Sequence, residues 1–509
     1  MTYSDISVVT TNRKHGRWYL FVLGSAIVFY FVSCAPGALW QDSGMFQYRI
    51  WQNDLEGGLG LALSHPLYCI IGIVFKSIPL GEFGFRINLI SAICGAFTVA
   101  NVFLLLRLLV DKLMPALLGA VTLAVSWTFW QHSVIAEVYT LYTAFFTAEM
   151  IFLLLYIRTG RQRYIYLLAL FNGISIANHM LGIIPLVCYF VFTIFLLVKR
   201  RINFKVVIIM SALWILGALP YEYLIVKQFI ATGDSLATVR SALFGNGWSS
   251  KVLNAAISLR VVIEDIFFIG YNFPTPNIIL FIPGVFALCK LSSLRIFVNI
   301  LLSVTILFFI FAFRYTVPDR YAFFIPFYCL VSIIIGVGLD SLLALYNNKL
   351  VTVVVFILAL LPIGVYAVVP VIAERMQVNI GTKRQIPYRN DYTYFLRPWQ
   401  RYNYGPELFA GEALSSVENE AVIIADGTTV YALWYLQEVK GKNAGVKVLS
   451  KHGDYKNPIE FPTEETIGRL MAERAVYVVS PVAGYCPKFL LERYDFTKAG
   501  ILYKTVEKK

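Results

Sequence analysis

Four short clusters of polar residues stand out in this chain because each borders or interrupts a long apolar run. The first is Trp40-Gln41-Asp42-Ser43-Gly44-Met45-Phe46-Gln47, extended by Ser64-His65-Pro66-Leu67-Tyr68 and by Arg86-Ile87-Asn88. The second is Trp130-Gln131-His132-Ser133-Val134-Ile135-Ala136-Glu137-Val138-Tyr139-Thr140. The third is Asn178-His179, and the fourth runs from Arg314 through Asp319, Arg320 and Tyr321. Each has an ordinary structural explanation. Asp42 caps a helix, His65-Pro66 opens one with proline at its first position, and Asp319 pairs with an arginine to anchor a loop. Taken together they suit a different chemistry. A carboxylate takes a proton from a hydroxyl, and guanidinium groups receive a departing phosphate. A hydrolase working by acid and base alone would not need the cations. A channel would bury its charges at mid-span, and the apolar runs here are nearly free of charge.

The elements that position these clusters follow from composition. Of 509 residues, 58% are apolar and 14% charged, with a mean hydropathy of +0.68. Soluble domains carry about 25% charged residues, so an ordinary soluble enzyme is excluded and a polytopic membrane protein is expected. Lys and Arg number 43 against 30 Asp and Glu, a formal charge of +13. In such a chain the excess marks loop anchors at the membrane rather than a nucleic-acid surface. The seven cysteines include no Cys-x-x-Cys pair, so neither a disulfide framework nor a zinc site is expected.

A bilayer core of about 30 Å needs roughly 20 apolar residues per helix. The expected spans are 18–36, 87–107, 115–130, 138–157, 164–178, 180–198, 206–226, 277–289, 296–313, 321–343 and 350–372, eleven in all. The shorter run 67–80 contains Lys76 and reads as a re-entrant or interfacial helix. With the N-terminus inside, the short cytoplasmic turns hold fifteen basic residues and the far longer outer loops nine, as the positive-inside rule requires. If 67–80 crossed, that bias would reverse. All four polar clusters then fall on the outer face, in the loop 37–86, the turn 131–137, the turn at 178–179 and the turn after 313. The loop 227–276 lies there too.

The tail from 373 has ordinary polarity and clear alternation. Strands are expected at Ala421–Ala425, Val446–Ser450, Val476–Ser480 and Ile501–Val506, with helices at Thr428–Glu438 and Glu464–Arg474. This is a small α/β layer domain. The chain therefore divides into a transmembrane part, 1–372, and an extracytoplasmic part, 373–509. The fold class expected is an all-α membrane bundle of about eleven helices carrying that domain.

The ordered motifs Trp40-x-Asp42-Ser43-Gly44, His65-Pro66-Leu67-Tyr68, Arg86-Ile87-Asn88-Leu89-Ile90-Ser91-Ala92, Phe129-Trp130, Ala136-Glu137-Val138-Tyr139-Thr140-Leu141 and Asn178-His179 resemble the O-mannosyltransferase-like membrane family of the GT-C glycosyltransferase superfamily. The tail segment Leu433-Trp434-Tyr435-Leu436-Gln437-Glu438-Val439 is similar to that of bacterial members. The resemblance implies a GT-C-like bundle whose first outer loop carries the catalytic acid. It also implies a sugar donor on a polyprenyl phosphate, presented at the outer face, and mannose as the sugar.

On this resemblance Asp42 is the general base on an acceptor hydroxyl of a protein, lipid or glycan, and Glu137 is the second-loop acid. His65, Arg86, Asn88, His179, Arg314, Asp319 and Arg320 are expected to bind substrate. The arginines would meet the charge developing on the lipid phosphate. Asp42, Glu137 and His179 are the candidate ligands of a divalent cation, Mg or Mn, where members use one. The family commonly has Asp-Ser-Gly-Glu, and Met45 here replaces the Glu, which leaves Asp42 to act alone or with Glu137. A bacterial inner membrane is expected, with the endoplasmic reticulum as the alternative. A transporter or flippase of lipid-linked sugars and a glycan polymerase or ligase are the competing readings.

Overall fold

The computed structural model describes residues 13–317, 319–346, 348–381, 384–451 and 462–508. Eight described helices are long and apolar enough to cross a bilayer. They are Gly16–Ser33, Phe83–Val110, Tyr139–Thr159, Met180–Val198, Phe204–Thr232, Ser292–Arg314, Arg320–Tyr346 and Lys349–Arg375. A ninth crossing arises if Leu259–Asn272 and Pro276–Cys289, bent by 100° to one another, count as one broken span. The remaining expected spans are present in altered form. Residues 115–130 fold as Leu113–Ala124 and Trp127–His132 with a break at Ser126, and 164–178 is the 17-residue helix Gln162–Asn178. The bend at 273–275 contains Pro274, which stops the first helix, and is followed by Pro276, which starts the next turn. Apolar periodicity alone does not reveal such a break. The run 67–80 is the eleven-residue helix Pro66–Lys76, too short to cross.

The most deeply buried spans are Phe83–Val110 and Arg320–Tyr346. Gln162–Asn178 and Phe204–Thr232 pack closely because glycines face one another. A methyl on Gly173 would strike the Trp214 carbonyl, and one on Gly217 would strike that of Leu170. Small residues of this kind let membrane helices approach backbone to backbone. A carboxyl group also lies inside the bundle. Glu149 accepts from Ser175 Oγ at 2.5 Å and Asn172 Nδ2 at 3.3 Å, while Trp214 Nε1 donates to Asn172 Oδ1 at 3.0 Å. This polar knot ties three helices together and is fully buried at the carboxylate.

The tail forms a five-stranded sheet of β1 (Val422–Ala425), β2 (Lys447–Ser450), β3 (Val476–Val478), β4 (Tyr494–Ala499) and β5 (Leu502–Glu507), in the order β2-β1-β3-β5-β4. Central β1 is parallel to both neighbours, with Ile423 opposite Val448 and Tyr477. Its four residues are all buried, as a strand covered on both faces requires. Helices Val430–Glu438 and Glu464–Glu473 make the crossovers, so the expected strands and helices are found within a few residues. Edge strand β4 was not anticipated. It joins β5 through Gly500 at φ 62, and its side chains are largely exposed, which leaves little apolar signal.

Candidate active site

The chain leaves the first span at Ser33 and is fixed before it reaches Asp42. Asn88, fully buried in the helix Phe83–Val110, donates from Nδ2 to the Ala35 carbonyl at 3.0 Å. Gln47 donates to Asn88 Oδ1 and to the Gly37 carbonyl, both at 3.0 Å, and accepts from the Leu39 amide at 3.1 Å. These bonds hold the start of the helix Gln41–Trp51 on the bundle. Asp42 and Ser43 occupy its first turn. Gly44 is required there because a Cβ would run into the Leu39 carbonyl.

Glu137 arrives from the turn between Trp127–His132 and Tyr139–Thr159. Its amide donates to Ser91 Oγ at 3.0 Å, and that hydroxyl donates back to the Glu137 carbonyl at 2.9 Å. Its carboxylate accepts from Ser43 Oγ at 3.0 Å. The two expected acids are thereby joined through neighbouring residues. Asp319, from the turn before Arg320–Tyr346, faces the same cavity. That cavity holds about 600 Å³ of empty space, part of it open to solvent. Its walls include Trp40, Gln41, Asp42, Gln131, His132, Glu137, Tyr139, Asp319, Tyr321, Tyr394, Gln400 and Asn403. Aromatic faces beside amides and carboxylates are the surfaces on which a polyhydroxylated ring binds.

The acids perturb one another. Asp42 is accessible to the cavity, yet the cavity is sunk in protein. Confinement first, and the Asp319 carboxyl second, raise its pKa to about 7. Glu137 is raised well above the carboxylate range by burial and then by Asp42, with the Ser43 hydroxyl opposing. Asp319 is raised by burial. His132 bonds through Nδ1 to the Thr128 carbonyl at 2.8 Å, and burial lowers its pKa to about 4, so the ring is neutral.

Several residues expected to bind substrate stand elsewhere. Asn88 spends its amide on the loop just described. His65 has φ 48, bonds through Nδ1 to the Asn178 carbonyl at 2.7 Å and packs on His179 with ring centroids 4.9 Å apart. His179 Nδ1 accepts from the Leu181 amide at 3.1 Å, and neither histidine lines the cavity. The grouping of Asp42, Glu137 and His179 around one ion is corrected accordingly. Among the described residues no three His, Cys, Asp or Glu come together as metal ligands.

The arginines are likewise engaged outside the cavity. Arg86 donates to the carbonyls of Lys76 and Ile78, at the end of the short helix Pro66–Lys76. Arg314 donates to those of Val252 and Asn254 at 2.7 Å. Arg320, 4% exposed, is paired with Glu264 at 3.0 Å and Asp265 at 2.8 Å. Reading Arg314 and Arg320 as phosphate donors overlooked the acids and carbonyls that packing brings from the 227–276 loop, and reading Arg86 so overlooked the carbonyls at and just past the end of its neighbouring helix.

Tyr394, Gln400 and Asn403 were missed. Their signal is the segment Tyr392-Thr393-Tyr394-Phe395-Leu396-Arg397-Pro398-Trp399-Gln400-Arg401-Tyr402-Asn403, dense in aromatics, amides and arginines but without apolar periodicity. The tail also explains its own motif. Trp434 stacks on Tyr48 at 5.0 Å, Glu438 accepts from Tyr48 Oη at 3.0 Å, and Tyr435 Oη accepts from the Gly84 amide at 2.9 Å. The segment 433–439 thus docks the α/β domain on the loop carrying Asp42.

Comparison with solved structures decides the architecture. ArnT from Cupriavidus metallidurans, solved bound to undecaprenyl phosphate, superposes with a TM-score of 0.60 at 13% identity, covering 96% of this chain and 97% of that one. The chain has a GT-C fold. Residues 64–203 match the model of the protein O-mannosyl-transferase TMEM260 N-terminal domain, which bears out the family resemblance over that stretch. The Archaeoglobus fulgidus oligosaccharyltransferase, solved with zinc and sulfate, aligns at a TM-score of 0.47 and 14% identity, over 90% of this chain and 67% of that one. No curated protein matches the sequence. The chain is a multi-pass membrane protein with this fold, its cavity at the end of the bundle where the α/β domain docks.

Proposed function

We propose that this protein is a membrane glycosyltransferase that moves a sugar of the mannose class from a polyprenyl-phosphate donor to a hydroxyl acceptor at the extracytoplasmic face. The observation that carries the reading is the convergence of Asp42, Glu137 and Asp319 on one aromatic, amide-lined cavity within this fold. The family model over residues 64–203 supports an O-mannosyl transfer, and the lipid phosphate bound by ArnT supports the carrier.

In the reaction the acceptor hydroxyl gives its proton to the Asp42 carboxylate while its oxygen attacks the anomeric carbon. The bond from that carbon to the phosphate oxygen breaks, and the polyprenyl phosphate departs with the electron pair. Attack opposite the leaving group inverts the anomeric centre. A base is most effective when its pKa lies near the working pH, and Asp42 has been moved there. Glu137, held by Ser43 and Ser91, is positioned to bind a sugar hydroxyl. No step is routed through a metal.

The test is transfer in reconstituted membranes. Purified protein receives radiolabelled mannosyl polyprenyl phosphate and a crude acceptor extract, beside an Asp42→Asn variant. Label should enter a new product with the wild type alone. Equal transfer by both proteins would remove Asp42 as the base. No turnover of this donor or of its glucosyl, galactosyl and aminosugar analogues would refute the transferase reading.

A further inference from the structure

The cavity poses an electrostatic problem. Three carboxylates line it, and no Lys or Arg does among the described residues. A phosphate leaving beside Asp42 must be met by a cation at the rim, and Arg86, Arg314 and Arg320 are engaged elsewhere. The segment that closes one wall of the cavity supplies another arginine. Arg397 lies between Tyr394 and Gln400, both cavity-lining. Its guanidinium stands over the Trp399 ring, 5.3 Å from the centroid. Its Nε is buried without a hydrogen-bond partner, and no carboxylate pairs with it among the described residues. Nearby Arg384 and Arg389 are instead paired with Asp426 and Asp391.

The segment is fixed at the depth where a lipid headgroup would sit. Gln400 donates its amide to the carbonyl of Ser33, the last residue of the first span, at 2.9 Å, and its side chain donates to the Arg397 carbonyl at 3.2 Å. Tyr271, beside the bend of the broken span, donates to the Leu396 carbonyl at 2.9 Å. Trp399 packs on Trp130 at 5.3 Å, and Trp130 Nε1 donates to Ser33 Oγ at 3.0 Å. Tryptophan and tyrosine in such a band mark a membrane–water interface. A guanidinium stacked on an aromatic face keeps its N–H edge available for two oxygens of one phosphate.

We infer that Arg397 binds the phosphate of the lipid carrier, at the rim between the end of the first span and the broken span. This rests on the transferase reading above. It is tested by binding rather than by turnover, with the full chain in nanodiscs titrated against undecaprenyl monophosphate and against undecaprenol and followed by tryptophan fluorescence. Hydrogen bonds to a charged group are worth about 1.5–3 kcal/mol, so the wild type should prefer the phosphate by about tenfold or more. Arg397→Gln should bring the two lipids within about threefold by the same reasoning. A wild-type preference retained in Arg397→Gln overturns the assignment. If that variant fails to fold, Arg397→Lys decides, because it keeps the charge without the fork. A reduced preference supports the assignment, and an unchanged one overturns it. A wild type with no preference for phosphate over alcohol overturns the donor reading itself, and this inference with it.

Discussion

The proposed role of Asp42 as general base predicts a defined pH dependence of transfer. A general base works as the carboxylate, and the confined cavity together with Asp319 raises Asp42 to about 7. At pH 6 only about one-tenth of it is ionised, and each further unit of acidity costs about another tenfold. The rate should therefore level off above about pH 8 and fall steeply below 7. An ordinary aspartate, near 3.9, would leave the same profile flat down to about pH 5. Asp319→Asn removes the second cause of the shift and leaves confinement in place. The acid limb should move to lower pH without reaching the ordinary position, so at pH 6 the variant keeps a larger share of its own plateau.

The assay is kcat/KM for the lipid-linked donor between pH 5 and 9 in detergent of fixed ionic strength, since that ratio reports groups of the free enzyme. Asp42→Asn should lose about 10²- to 10⁴-fold and show no limb in this range. A flat wild-type profile would refute the reasoning. So would a limb that persists in Asp42→Asn, or one that does not move in Asp319→Asn.

Three further outcomes follow from the same geometry. Glu137 has a folded-state pKa above its unfolded value, so its contribution to stability is full below about pH 4 and is lost as pH rises. Glu137→Gln keeps an oxygen for Ser43, and it should raise the melting temperature at pH 8, with no gain near pH 4, while transfer falls. A melting temperature lowered equally at both values would count against this. Tyr435→Phe strips the Gly84 amide of its acceptor. It should cost about 1–3 kcal/mol in thermal or denaturant unfolding and lower kcat through the Asp42 loop, and an unchanged midpoint would show the contact to be idle. Gly44→Ala forces a methyl against the Leu39 carbonyl and should destabilise by about 1–3 kcal/mol. Gly411→Ala meets only Leu436 Cδ2 at 3.8 Å and should be near neutral, so equal effects on melting would refute the packing argument.

The parts of the site legible in the sequence are those whose signal is local. Asp42, Glu137 and Asp319 each stand where an apolar run ends, and the charge bias of the loops places those ends on one face before any contact is known. The spans were legible for the same reason, except where a break such as Ser126 or the bend at 273–275 cuts a run without changing its composition. What a polar side chain bonds to is settled by packing, and there the reading failed. Arg320 looked like a free cation beside Asp319, yet its partners Glu264 and Asp265 come from more than fifty positions away. Asn88 looked like a ligand-binding amide, and its three side-chain hydrogen bonds go to Ala35, Gly37 and Gln47.

The same logic reaches the proposed base, Asp42, through the tail. Gln41 has φ 54, a left-handed conformation disfavoured for a residue with a side chain, and it immediately precedes Asp42. Strain of that kind persists only where the surroundings over-determine it. Here both restraints come from beyond the last span. The Gln41 amide donates to the Thr428 carbonyl at 3.2 Å, and Tyr394 Oη donates to Gln41 Oε1 at 3.3 Å. The Asp42 backbone is thus set jointly by the bundle, through Asn88 and Gln47, and by the tail, through Thr428 and Tyr394. A cavity assembled this way needs its α/β domain even if that domain touches no sugar, because Thr428 and Tyr394 are the contacts that hold Gln41 in the conformation that turns Asp42 toward Glu137 and Asp319.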